Sequence, residues 1–174
     1  MGQTFLSASL LFLSVLEYIS MNCENDKKLV VTQRRLPHWF LKGSTYFITF
    51  RMKSNSLSME ERILVLDHIK SGDGKHYLLH AAVILADHVH LLIQPNEGLK
   101  LSVVMKGLKG VSARKINHIR GTRGSVWQDE SYDRIVRHYD EFMEKLNYML
   151  MNPVKAGMTD DPWRYEAWYW RGWQ

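Results

Sequence analysis

The chain has 174 residues, 45% of them apolar and 24% charged, and carries a formal net charge of +5. That length can bury one sizeable core but not two, and the composition is that of a folded globular protein, not a disordered one. Its one cysteine, Cys23, excludes an internal disulfide and a cysteine-built zinc site.

The opening segment, MGQTFLSASLLFLSVLEYIS, has the look of a signal peptide. It lacks a positively charged start and an A-x-A cleavage site, however, and Glu17 interrupts it. Its apolar run from Phe5 to Leu16 is shorter than the roughly 20 residues that a membrane helix needs. Gly2 raises N-myristoylation, but Leu6 breaks that motif. We expect the natural start at Met21, with residues 1–20 contributed by an upstream start codon. Residues 21–174 are then one domain in a reducing, cytoplasmic setting.

The first predicted element is the strand in STYFITFRM. Tyr46, Ile48, Phe50 and Met52 alternate with Phe47, Thr49 and Arg51, so each set takes one face. A helix follows in SNSLSMEERILVLDHIKSG, where Ser58 and Glu61 form a capping box and Gly72 is a stop. The stretch HYLLHAAVILADHVHLLIQP predicts two antiparallel strands, about 77–85 and 88–94, joined by a tight turn. A helix from about Leu101 to Ile119 comes next, and SVWQDESYDRIVR supplies a loop and a short strand. A last helix from Asp140 to about Met151 should end at Pro153, because the residue before proline is pushed out of helical conformation. The order β-α-β-β-α-β-α predicts an α+β, ferredoxin-like (split βαβ) antiparallel sheet with helices packed on it.

Two of these elements carry chemistry. In the second of the paired strands His88 and His90 are two residues apart and project to the same side of the sheet. Neutral imidazoles at that spacing can share a divalent metal, although two partly buried polar residues satisfied by their neighbours would look the same. In the last helix Phe142, Leu146, Met149 and Leu150 form an apolar stripe, and Tyr148 falls roughly opposite it beside Glu141, Glu144 and Asn152. Asn152 lies one turn beyond Tyr148, and its amide oxygen is a ligand that Mg²⁺ or Mn²⁺ accepts. A half-exposed tyrosine and an ordinary helix-terminal asparagine remain the plain readings.

Between them, residues 100–123 carry Lys100, Lys106, Lys109, Arg114, Lys115, Arg120 and Arg123 with no acidic residue, a pattern suited to nucleic-acid phosphates. The tail DPWRYEAWYWRGWQ is rich in Trp and Arg. Such residues stack unpaired bases, or pack a terminal segment onto the sheet; packing is the reading we favour.

Taken together, DHVHLL (87–92), WQDESYDRIVR (127–137) and YMLMNPVKAG (148–157) resemble the single-tyrosine, His-hydrophobe-His transposases. The likeness is to the branch associated with repetitive extragenic palindromes (REP), and RRLPHW and STYFITFRM fit the same pattern. It spans about Arg34 to Gly157. It implies His88, His90 and Asn152 as ligands of Mg²⁺ or Mn²⁺ and Tyr148 as the nucleophile. The chain would then cleave and rejoin single-stranded hairpin DNA through a 5′-phosphotyrosine. It further suggests Arg34 and Arg35 as readers of bases beside the hairpin. Glu144 is a candidate base for the phenol. One tyrosine would serve cleavage and rejoining in turn, or two subunits of a homodimer would each supply one. A non-catalytic DNA-binding protein of the same fold, and a metal-dependent phosphodiesterase using water, are the alternatives.

Overall fold

A computed structural model describes residues 30–33 and 37–173. Residues 1–20, Met21, Arg34 and Arg35, on which the expectations about the start and about base reading fall, lie outside the described residues. A two-stranded hairpin comes first, β1 (Val30–Gln33) with β2 (Pro37–Phe40). The main body is then β3 (Tyr46–Arg51), α1 (Met59–Ser71), β4 (Tyr77–Ile84), β5 (His88–Pro95), α2 (Leu101–Arg120), β6 (Tyr132–Ile135) and α3 (Tyr139–Lys155), followed by a short β7 (Trp168–Trp170).

Five strands form one antiparallel sheet in the order β6-β3-β5-β4-β7. The first four of these have the split βαβ arrangement expected from the sequence, with β5 inserted between β3 and β4. The side-chain alternation of β3 holds as predicted. Phe50 meets Trp127 edge-on at 4.8 Å, and the Trp127 indole donates to Ser112 of α2 at 2.9 Å. Tyr77 of β4 donates to the Ile69 carbonyl of α1. Helices α1 and α2 therefore cover the face bearing Ile48, Phe50, Val89 and Leu91, the dry core of the molecule. Thr49, His88 and His90 look the other way, toward α3.

The capping box at α1 is present, with Ser58 accepting from the Glu61 amide and Glu61 accepting from the Ser58 amide. Glu61 has a second role that the sequence did not announce. Its carboxylate, almost wholly buried, takes two bonds from the Arg120 guanidinium at 2.5 and 2.7 Å, and Arg120 also donates to the Ser56 carbonyl. The Arg120 hydrogen bonds and charge hold the Glu61 carboxyl below its usual range against the cost of burial. Arg120→Ala leaves a buried anion without its cation and is expected to cost about 3 kcal/mol. Urea unfolding reads this directly, and an unchanged midpoint would mean that the clasp contributes nothing.

Three boundaries differ from expectation. Helix α3 runs through Pro153 to Lys155 instead of stopping before it. A proline in the last turn removes a single ladder bond, to Met149, and its ring is buried, so the helix tolerates it there. The tail adds a strand, β7, on the outer edge of β4, with Tyr165 and Tyr169 buried, which is the packing role. Finally, β4 carries a bulge at His80, the extra residue between the Leu79–Ile93 and Ala81–Leu92 pairs. His80 meets Phe142 of α3 edge-on at 5.4 Å. Arg171 closes this corner by donating to the Leu79 carbonyl and to both oxygens of Asp73.

Candidate active site

The β4–β5 turn and the middle of β3 build the floor of the site. In register, Arg51 stands opposite His88 and Thr49 opposite His90. Alternation brings the two histidines to one side, as the sequence predicts, with ring centroids 4.7 Å apart. His90 is buried and His88 lies nearer the rim, its side chain 15% exposed.

Each imidazole has an orienting partner at Nδ1. Asp87 approaches His88 Nδ1 at 2.6 Å and also accepts from Arg51 at 3.2 Å. Burial opposes ionisation of Asp87, but its bond to His88, the charge of that ring and the Arg51 cation together hold the carboxyl below its usual range. A carboxylate can only accept, so His88 carries a proton on Nδ1, and its Nε2 is the nitrogen left facing away from Asp87. His90 Nδ1 lies 2.7 Å from Thr49 Oγ1, and its Nε2 lies 3.2 Å from the amide nitrogen of Asn152. A donor on the Nε2 side again leaves the proton on Nδ1. Burial, with the neighbouring His88 and Arg51, pushes the His90 pKa down to about 3 despite Asp87. The ring is thus a neutral base at physiological pH.

Helix α3 forms the roof. His138 caps it, accepting from the Glu141 amide, and Glu141 is anchored to Arg134 of β6. Tyr148 is 41% exposed, yet its ring meets both His90 and Phe47 edge-on, at 5.2 and 6.1 Å. Phe47 in turn stacks on His90 at 5.3 Å. Because α3 continues through Pro153, Asn152 stays in helical register one turn beyond Tyr148 and reaches the same histidine. His88, His90, Tyr148 and Asn152 thus converge within one chain.

Among the described residues no group of three or more His, Cys, Asp or Glu gathers in metal-binding geometry. The donors available are two imidazole nitrogens and the Asn152 amide, whose oxygen takes the place of its nitrogen when the group turns over. Two imidazole nitrogens and an amide oxygen are donors that a divalent cation such as Mn²⁺ accepts, and the neutral state of His90 suits a ligand.

Other predicted residues fall elsewhere. Glu144 is exposed and paired with Lys145 at 2.8 Å, not with Tyr148. The cations of α2 lie behind the sheet, away from the histidines. There Lys106, Arg114 and Lys115 are exposed, as are Lys100 and Arg123 at the helix ends. Lys109 bonds the Asp129 carbonyl, and Arg120 is the Glu61 partner described above. Sequence reasoning missed Thr49, Asp87 and Phe47; the pairing of β3 with β5, once assumed, puts the first of these beside His90.

The imidazole pair thus lies on a split βαβ sheet and meets a helical tyrosine of the same chain. A family model described as "Transposase IS200 like" matches residues 50–146, more than half of the chain, which therefore belongs to that family. A REP-associated tyrosine transposase of Escherichia coli is 24% identical over 123 residues, covering 68% of this chain and 72% of the relative. A Haemophilus influenzae protein assigned to the same class is 25% identical over 145 residues, covering 75% and 82%. The solved structure of a REP-associated tyrosine transposase bound to a REP hairpin matches with a TM-score of 0.60 and 23% identity, over 76% of this chain and 78% of that one, and shows the shared fold.

Proposed function

We propose that this chain is a cytoplasmic, metal-dependent enzyme that nicks and rejoins single-stranded DNA at hairpin elements, using Tyr148 as its nucleophile. The observation that carries this reading is the meeting of Tyr148, His90 and Asn152 in one chain, with His90 held neutral. The relative bound to a REP hairpin supports the choice of DNA partner.

In this reading His88, His90 and Asn152 hold Mg²⁺ or Mn²⁺, which, when bound, supplies a positive charge for the non-bridging oxygens of the scissile phosphate. The Tyr148 phenol gives up its proton and its oxygen attacks phosphorus. The bond from phosphorus to the 3′ oxygen breaks, and that oxygen takes a proton and leaves as a 3′-OH. The product is a 5′-phosphotyrosine whose energy is close to that of the original diester, so a 3′-OH can reverse the step. Thr49 and Asp87 hold the imidazoles with their lone pairs outward. In this reading Tyr148 acts with His90, which it meets within the same chain.

The test is a denaturing gel of purified protein with Mn²⁺ and end-labelled single-stranded hairpins from DNA flanking the gene. Label that travels with protein only when metal is present is the expected result. Cleavage without a covalent species would mean that water attacks, and binding alone would mean that the chemistry has been lost.

The orienting role of Asp87 gives a separate expectation. Asp87→Ala should weaken Mn²⁺ binding by about 10- to 100-fold in calorimetry while leaving thermal unfolding nearly unchanged. Equal affinity in the variant would remove Asp87 from the site.

A further inference from the structure

The floor of the site continues beyond the histidines to the edge strand β6. In register, His90 pairs with Thr49 and Thr49 with Tyr132, so the three side chains form one row on the face that α3 only partly covers. Two strand spacings separate Tyr132 from His90, about 10 Å. Tyr132 is 50% exposed, among the most exposed large apolar side chains of the described residues.

Its ring is open to solvent, and its backbone is held in register by β3. Arg134, two residues on, projects from the same face of β6. The guanidinium of Arg134 is itself held at 2.5 Å by Glu141, which is buried and also accepts from the Arg137 amide. Glu141 thus ties β6, the strand that carries Tyr132, to the first turn of the helix that carries Tyr148. A half-exposed aromatic ring on a strand anchored in this way, in one row with Thr49 and His90, has the properties of a base-stacking platform.

We propose that Tyr132 stacks a nucleobase of the single strand next to the phosphodiester presented to Tyr148, setting where along the strand cleavage falls. This rests on the nicking reading above. The recognition is stacking and not charge, because the Arg134 cation is already neutralised by Glu141. Tyr132 is a positioning residue and takes no part in bond making.

The experiment uses the full chain and hairpin oligonucleotides with single-stranded flanks, each carrying one 2-aminopurine moved position by position. In the wild type one flank position should lose fluorescence on binding. Tyr132→Ala should restore that fluorescence and weaken binding about tenfold, the loss of one stacked base. Tyr132→Phe should keep both properties. Stacking contributes no counter-ion release, so the slope of log affinity against log salt should be the same for Tyr132→Ala and wild type. Quenching that persists in Tyr132→Ala, or a shallower salt slope, would overturn the platform. Wild-type quenching with no metal-dependent covalent species would sink the nicking reading and leave the platform standing. Absence of DNA binding by the wild type would overturn both.

Discussion

Replacing Tyr148 by phenylalanine is expected to eliminate the covalent protein–DNA species and to leave hairpin affinity within about twofold. The substitution removes one oxygen and nothing else. The ring of Tyr148 makes the edge contacts to His90 and Phe47, and phenylalanine keeps them. Loss of a covalent nucleophile costs orders of magnitude in rate, roughly 10³-fold or more, whatever binding remains. Labelled hairpin on a denaturing gel, read beside a filter-binding curve, separates the two quantities. A covalent band that survives in Tyr148→Phe would move the nucleophile to another residue.

His90→Ala is expected to abolish measurable Mn²⁺ binding and, with it, the covalent product. His90 is the hub of the site, since Thr49, Asn152, Phe47, His88 and Tyr148 all touch it. Alanine there also opens a cavity, so His90→Gln, of closer volume, is the necessary companion. Both variants should lose Mn²⁺ in calorimetry, whereas the alanine form alone should lose substantial stability. If His90→Gln binds Mn²⁺ as the wild type does, His90 is a core residue and the metal assignment falls. Acidity should matter little to His90 itself above pH 4, because its own pKa lies near 3. Any loss of metal at mildly acid pH must then arise at another group.

How much of this was legible in the sequence depended on the range of the interaction. The alternation in Tyr46–Met52, the Ser58–Glu61 box and the shared side of His88 and His90 are local, set by two- to four-residue periods, and the structure follows them. The helix boundary at Pro153 was misjudged because a proline rule for helix interiors is weaker in a final turn, where few bonds remain to be lost. The strand β7 was missed although Trp168–Trp170 has the side chains of a strand, since so short a run needs the open edge of β4 to become one. Least legible were contacts between distant positions. Nothing in residues 100–123 tells Arg120, bound to Glu61, from Arg114, which is exposed. In the same way only the strand register shows that Thr49 and Tyr132 share a row with His90. The convergence of Tyr148 with the histidines rested on the family resemblance, and the geometry of α3 provides its physical route.

The position of β7 has a consequence for how the protein is made. Its sheet places β5 at the centre, between β3 and β4, and β7, which follows all of them in the chain, at one margin. During synthesis β4 can pair with β5 as soon as both have left the ribosome, but its other side stays bare until residues 168–170 emerge. For that interval a nascent chain presents an unpaired strand to its neighbours on the same messenger, the kind of edge through which growing polypeptides join one another. Chaperone dependence and aggregation on overexpression should therefore track residues 168–170 more than Thr49, His88 or His90.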